Sequence, residues 1–295
     1  MSVRIRPVVS DMDFEAWRQV RIAVLPYERC PSVEELRAVM VPERLMLLAE
    51  VDGELAGSGL ADKSHLAGVA GVAPRVLPAF RRRGVGGAVL RELAEHCLTI
   101  GVPHVGASAD DPGSVAFAEA FGFVEVDREV EQVRKIGVEP EPELPVGLTV
   151  VSLAERPELW AAAFDTLGRQ AVSDFAVDRP IEVTAEEWER DWKGEPAGTF
   201  MALAGDEIVG TAGLTLDPDQ PNRAEHALTA VGRHWRGRGV ASALKRLTLH
   251  WASQNGLTEV YTWTQRGNEN MRQLNEHLGY EYRTVSVRVR RELPL

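Results

Sequence analysis

Residues 81–87 read Arg-Arg-Arg-Gly-Val-Gly-Gly, and residues 236–242 read Arg-Gly-Arg-Gly-Val-Ala-Ser. Each stretch follows a β-rich segment and runs straight into a helical pattern, so each is a strand–loop–helix junction. Glycine lets a backbone come close to a ligand. A helix N-terminus adds free N–H groups and the positive end of a dipole, which suits a pyrophosphate. Arginine forks ahead of the glycines suit the same group. Positive charge at a helix start opposes the dipole unless an anion is present, which favours a bound ligand over a solvated charge run or an empty turn.

The two stretches belong to a long repeat. Arg81 pairs with Arg236, Gly84 with Gly239, Gly86 with Ala241, Gly101 with Gly256 and Val105 with Val260, all 155 residues apart. Gly57 pairs with Gly210 at 153, and Gly122-Phe123 with Gly279-Tyr280 at 157. A slow drift that preserves order marks two homologous domains. Between them, Gly137 to Gly147 alternates Glu and Pro, which neither pairs in a sheet nor continues a helix. The expected division is a domain over 1–136, a linker over 137–147 and a domain over 148–295.

Each half shows the same order of elements. A short strand opens it (3–8; 148–151), and an amphipathic helix follows, carrying Phe14, Trp17, Val20 and Val24 or Leu159, Trp160, Ala163, Phe164 and Leu167. A hairpin turns at Asp52-Gly53 or Gly205-Asp206. A strand leads into the glycine-rich loop, and the helix after it ends at Gly101 or Gly256 as a C-terminal cap. Another strand, helix and final strand complete a mixed α/β unit with a central sheet flanked by helices. Trp188 and Trp192 lie four apart on one helix face (185–192), as core or as a lid over the second site.

The composition is that of an ordinary globular chain: 295 residues, 44% hydrophobic, 26% charged, net charge −11. The charge argues against broad nucleic-acid binding. No apolar run has the length of a membrane span, and Met1-Ser2-Val3-Arg4-Ile5-Arg6 lacks the apolar core of a secretion signal. Cys30 and Cys97 have no metal-ligand spacing and fit reduced thiols in the cytoplasm.

A strand, then Val-x-Pro-x-x-Arg-x-x-Gly-x-Gly, then a helix resembles the acetyl-CoA motif of the GNAT (Gcn5-related) N-acetyltransferases. The first copy supplies Val76, Pro78, Arg81, Gly84 and Gly86, and the second Val231, Arg236, Gly239 and Ala241, with Arg233 in place of proline. The family's later signature, Asn-x-x-Ala-x-x-Leu-Tyr-x-x-Leu-Gly-Phe, is matched by Asn268, Met271, Leu274, Asn275, Leu278, Gly279 and Tyr280. In the first copy, Asp111, Ser114, Phe117, Ala118, Phe121, Gly122 and Phe123 stand there. The tandem architecture is similar to that of mycothiol synthase.

The resemblance implies two tandem acyl-CoA N-acyltransferase domains and transfer of acetyl from acetyl-CoA to a primary amine of a small molecule, with no metal, nucleic acid or membrane partner. It implies coenzyme contacts from Val76, Arg81, Arg82, Arg83, Gly84, Val85, Gly86 and Gly87 in the first copy. In the second they come from Thr229, Ala230, Val231, Arg236, Gly237, Arg238, Gly239, Val240, Ala241 and Asn268. The tyrosine that protonates the leaving thiolate is replaced by Ala118 and Asn275. Asn275 is a candidate to hold a water or orient substrate.

For the base, Glu225 stands six residues before Val231 and, in an uninterrupted strand, on the face of Thr229 and Val231. The alternative is a surface-strand glutamate. His226 falls on the opposite face, as a structural or a rim residue. The first copy has no comparable carboxylate, only Asp62 and His65 nearby in a loop role, and Pro74 interrupts its strand. The second domain is therefore expected to do the chemistry. The first is expected to be a degenerate homologue that either retains a ligand-binding capacity, with Gly86-Gly87 admitting a phosphate, or keeps only a vacant cleft or shapes the substrate cleft. A non-catalytic acyl-CoA-binding protein and a chain with both domains active are the competing readings, and the chain is expected to be a monomer with internal pseudo-symmetry or a homodimer.

Overall fold

The computed structural model describes residues 2–175 and 179–295. Both glycine-rich stretches are strand–loop–helix junctions. In chain order the first half comprises β1 (Val3–Pro7), α1 (Asp11–Val24), α2 (Val33–Ala38), β2 (Leu45–Val51), β3 (Glu54–Lys63), β4 (Val69–Val72), β5 (Arg75–Val76), α3 (Val85–Thr99), β6 (His104–Ala109), α4 (Pro112–Ala120) and β7 (Val124–Lys135). The second half comprises β8 (Thr149–Ser152), α5 (Glu158–Ala163), a wide helical turn (Phe164–Gly168), α6 (Arg169–Ser173), α7 (Ala185–Asp191), β9 (Phe200–Ala204), β10 (Glu207–Leu216), β11 (Arg223–Val231), α8 (Val240–Gln254), β12 (Glu259–Gln265), α9 (Glu269–His277) and β13 (Glu281–Glu292). The expected hairpins and the helices after the loops are all present.

The chain forms two units, but the division is not at the linker. One unit is Met1–Arg128 with Ser286–Leu295, and the other is Glu129–Val285. The first unit orders its strands β1-β2-β3-β4-β6 and closes with the end of β13, paired antiparallel from Val287↔Ala109 to Glu292↔His104. Val289 and Leu293 are buried in that unit's core with Val105 and Phe123. The second unit orders its strands β8-β9-β10-β11-β12 and closes with the end of β7, from Gln265↔Glu129 to Glu259↔Lys135. The repeat predicts a final strand for each copy; it carries no signal for which sheet that strand joins.

The Glu/Pro stretch starts as part of the second unit. Ser253 Oγ donates to Gly137 O (2.9 Å), and Glu139 pairs with Arg134 (2.6 Å) while its carbonyl meets His250 Nδ1 (2.8 Å).

Each unit buries a helix on both faces of its sheet. In the first, α3 packs through Val85, Val89 and Leu93 against Leu47, Ala61 and Val72, and α1 covers the opposite face with Phe14 and Trp17. In the second, α8 covers one face through Val240, Leu244 and Leu249. The other face holds Trp160 and Trp188, stacked at 4.4 Å, with each indole N–H donating to the other's backbone carbonyl. Trp188 is therefore core, as the helical spacing favoured, and Trp235 lies apart on the Val209 and Val240 cluster.

Candidate active site

The two loops are built alike. Gly84 and Gly239 precede α3 and α8 in the left-handed conformation (φ +80 and +81), and a Cβ on either would meet nothing within 4 Å. Gly237 is also left-handed (φ +72), and the first copy forces Arg82 into the same region (φ 62), which only glycine adopts without strain. Neither α3 nor α8 has a side-chain cap or an acidic residue in its first turn. The N–H groups of Val85, Gly86 and Gly87, and of Val240, Ala241 and Ser242, thus lack intrahelical acceptors. In contrast, α1, α2, α4, α7 and α9 all carry capping side chains. An open approach lined by orphan donors fits a pyrophosphate.

The motif arginines also serve the loop itself. Arg81 Nε donates to Val76 O (3.3 Å) and Arg236 Nε to Val231 O (3.0 Å), tying each loop to the end of its strand. Arg83 lies over Phe80 and Arg238 over Trp235. The copies then differ. Arg233 and Arg236 both bind Asp174, just past α6, and the hydrogen bond from Arg233 is the main reason the Asp174 carboxyl sits below its usual pKa. Among the described residues Arg81, Arg82 and Arg83 form no salt bridge.

The glycines of the first loop also serve packing. A Cβ on Gly86 would meet Phe117 at 3.3 Å, and one on Gly87 would meet Phe121 at 2.9 Å. These glycines make room for α4, so what they offer an anion is confined to their N–H groups.

Beyond the loops, the decisive geometry is where paired strands part. β11 and β12 run parallel only through Arg223↔Glu259, Ala224↔Val260 and Glu225↔Tyr261, although β11 continues to Val231 and β12 to Gln265. The gap opens right after Glu225 and Tyr261, and Thr229, Ala230 and Val231 line it. In the first unit the matching pairs are Val69↔His104, Ala70↔Val105 and Gly71↔Gly106, after which β4 stops and Pro74 separates it from Val76. Two glycines thus stand where the second unit has Glu225 and Tyr261.

The expected shared face of Glu225, Thr229 and Val231 does not hold. The register with β10 shifts between Ala212 and Leu214, so β11 bulges between His226 and Thr229, and a bulge inverts alternation. Val231 lies opposite Gly210, whose Cβ would meet Val240 and Leu244, and so faces α8. Ala224 and His226 face α8 as well, through Leu249 and Thr248. Glu225 points to the other face, where Tyr261 Oη donates to its Oε2 (3.3 Å).

His226 is structural, as expected. It is buried and meets Thr248 Oγ1 at 3.2 Å. Burial first, then the Lys245 charge, drives its pKa well below the usual range. Asn275 is fully buried, and its amide donates to Gln132 Oε1 (3.0 Å), whose own amide reaches Arg272 O (3.3 Å). Its amide is thus engaged inside the fold, which fits a packing role better than the expected one of orienting a water or substrate. Asn268 is the N-cap of α9, accepting from Met271 N–H (3.4 Å), and Asp111 caps α4 in the same way. Asp62 lies within β3, paired with Gly71, and is engaged by Arg44 (2.9 Å), a correction to its expected loop role. Sequence reading missed Tyr261 and Asp174. Neither carried a decisive signal along the chain: alternation gives Tyr261 a face but not its register with Glu225, and Asp174 lies outside the repeat.

Fold and site together define an acyl-CoA transferase class, and comparison places the chain within it. The acetyltransferase (GNAT) family profile matches residues 11–123 and 160–280, and the chain belongs to this family as a tandem acyltransferase. Mycothiol acetyltransferase of Nocardia farcinica is 32% identical over 259 residues, covering 82% of this chain and 80% of that protein. The mycothiol acetyltransferase of Geodermatophilus obscurus is 31% identical over 263 residues, covering 84% and 82%. Among solved structures, a tandem GNAT protein from the clavulanic acid biosynthesis pathway superposes with a TM-score of 0.77 at 18% identity over all of both chains. A GCN5-related N-acetyltransferase from Sphaerobacter thermophilus gives 0.73 at 21%, covering 98% and 95%. Members of the family use acetyl-CoA. Among the described residues no helix is long and apolar enough to cross a membrane.

Proposed function

We propose that the chain is an acetyl-CoA-dependent N-acetyltransferase acting on a small-molecule primary amine, with its chemistry in the unit formed by residues 129–285. The observation that carries this reading is the contrast at the strand gap: Glu225 and Tyr261 in one unit, Gly71 and Gly106 in the other. The same contrast weighs against both units being active.

Acetyl-CoA supplies an activated acetyl thioester. The N–H groups of Val240 and Ala241, with Gly237, Gly239 and Arg238, hold its pyrophosphate, and Arg236 joins them on release from Asp174. The unpaired edge of β11 at Thr229–Val231 binds the thioester arm and steadies the charge that develops on its carbonyl oxygen. Glu225 takes the amine proton, directly or through one water, as the nitrogen attacks. Asn275 holds the position of the family's tyrosine, and the step needs no dedicated acid: a thiol with a pKa of about 8.5 leaves as thiolate. Val76, Arg81 to Arg83 and the N–H groups of Val85 to Gly87 keep a ligand-binding capacity in the other unit. The name of the relatives makes amines of mycothiol metabolism the first acceptors to assay.

Glu225→Gln tests the reading. It preserves shape and removes the base, so kcat should fall roughly 10²–10⁴-fold while acetyl-CoA affinity in calorimetry holds. Turnover at the wild-type rate would return Glu225 to a structural role.

A further inference from the structure

Tyr261 is almost fully buried, 1% exposed, in a strand otherwise suited to packing. Its hydroxyl ends on Glu225 Oε2. Its ring lies between two guanidinium groups, Arg223 at 4.1 Å and Arg283 at 5.9 Å from the centroid. Both arginines are fixed in turn. Arg223 Nε donates to Glu259 (2.7 Å), Arg283 Nη1 to the same carboxylate (2.9 Å), and Arg283 Nε to the buried Glu131 (2.7 Å). The two arginines and the two glutamates hold one another, and the arginines pack against the ring.

The charged and titratable groups that the strand register and contacts place on the Tyr261 face include Arg223 from β11, Glu259 and Tyr261 from β12, Glu129, Glu131 and Lys135 from β7 and Arg283 from β13. The partner from β10 is the uncharged Thr215. Glu131, Glu259, Arg223 and Arg283 are engaged with one another. The Tyr261 hydroxyl is a neutral donor to Glu225, beside the further contacts that both residues make. A donor to a carboxylate favours its charged form, and a donor on a clamped ring also fixes the carboxylate's direction.

We propose that Tyr261 is a positioning residue for the base: its hydroxyl aims the Glu225 carboxylate into the gap between β11 and β12 and keeps it ionised. This rests on the reading of Glu225 as base. Loss of the hydroxyl removes one donor to the carboxylate, which makes it harder to ionise and loosens its aim.

The test uses the full chain with carboxyl-¹³C glutamate, the Glu225 resonance being assigned by its loss in Glu225→Gln. In Tyr261→Phe the Glu225 titration midpoint should rise by about one pH unit. The acid limb of kcat/KM for acetyl transfer to cysteamine or glucosamine should rise with it, and KM for acetyl-CoA should stay within about twofold. 3,5-Difluorotyrosine at position 261, a stronger donor that keeps the ring, should move the midpoint down and guards against misfolding of the Phe variant. An unmoved midpoint in either folded variant overturns the proposal, whatever happens to kcat. An acid limb that persists in Glu225→Gln overturns the base assignment, while the Tyr261→Phe resonance still reports on the hydrogen bond.

Discussion

Arg236 of the second glycine-rich loop is bonded to Asp174, a residue 62 positions earlier that also holds Arg233. The loop arginine proposed for the pyrophosphate therefore spends its charge internally, whereas Arg81 in the other copy forms no salt bridge among the described residues and acts on Asp111 only through its charge. Exposed pairs of this kind are worth roughly 0.2–1 kcal/mol each. Asp174→Asn should thus tighten acetyl-CoA binding in the second unit by about two- to tenfold, read by calorimetry at low salt. Weaker binding would mean that Asp174 orients Arg236 for the ligand instead of competing with it.

The two loops can be separated by one substitution each. Gly239→Glu places a carboxylate and a side chain at a left-handed position that opens to free space. It should abolish acetyl transfer and acetyl-CoA binding at α8 while the protein stays folded, with strain of roughly 1–2 kcal/mol. Gly84→Glu at the equivalent place should leave transfer within about threefold of wild type. Reversed outcomes would move the chemistry to the unit containing α3.

How much of this was readable in advance differs by level. The repeat, the hairpins and both loop–helix junctions followed from glycine offsets and alternation, because turn and cap chemistry is local. Pro74 correctly broke the first copy's strand. The exchange of β7 and β13 was not readable, since pairing partners for two similar final strands are chosen by three-dimensional closeness. The bulge between His226 and Thr229 carries no glycine or proline, so strict alternation put Glu225 on the wrong face relative to Val231. Asn275 looked functional because it replaces a motif tyrosine; its burial against Gln132, 143 residues away, was invisible along the chain.

Asn275 accordingly has a stability role. Asn275→Ala strands the buried Gln132 Oε1 without its donor, which costs roughly 1–3 kcal/mol. Urea unfolding should show that loss, while kcat measured at 15 °C, where the variant stays folded, changes by less than about twofold. A kcat loss of a hundredfold with unaltered unfolding would restore Asn275 to the catalytic set.

The last prediction concerns Lys245 on α8. It is 1% exposed, its Nζ lies 5.3 Å from the Tyr280 ring centroid, and it forms no salt bridge among the described residues. Burial alone pushes its pKa down to about 7. Around it stand the buried neutral His226 and the Tyr280 hydroxyl, whose pKa burial raises. Between pH 7 and about 10.5, the ordinary lysine range, the unfolded chain holds a proton that the folded chain has released. Stability therefore rises with pH through that window and is lowest, on this account, below pH 7. Lys245→Met keeps the length and apolar stem and removes the charge. At pH 6 it should be more stable than wild type by roughly 2–4 kcal/mol, and the difference should shrink as pH approaches 10. Melting curves across that range decide the matter: a gap independent of pH, or a variant less stable at pH 6, would show that the ammonium finds compensation inside the fold.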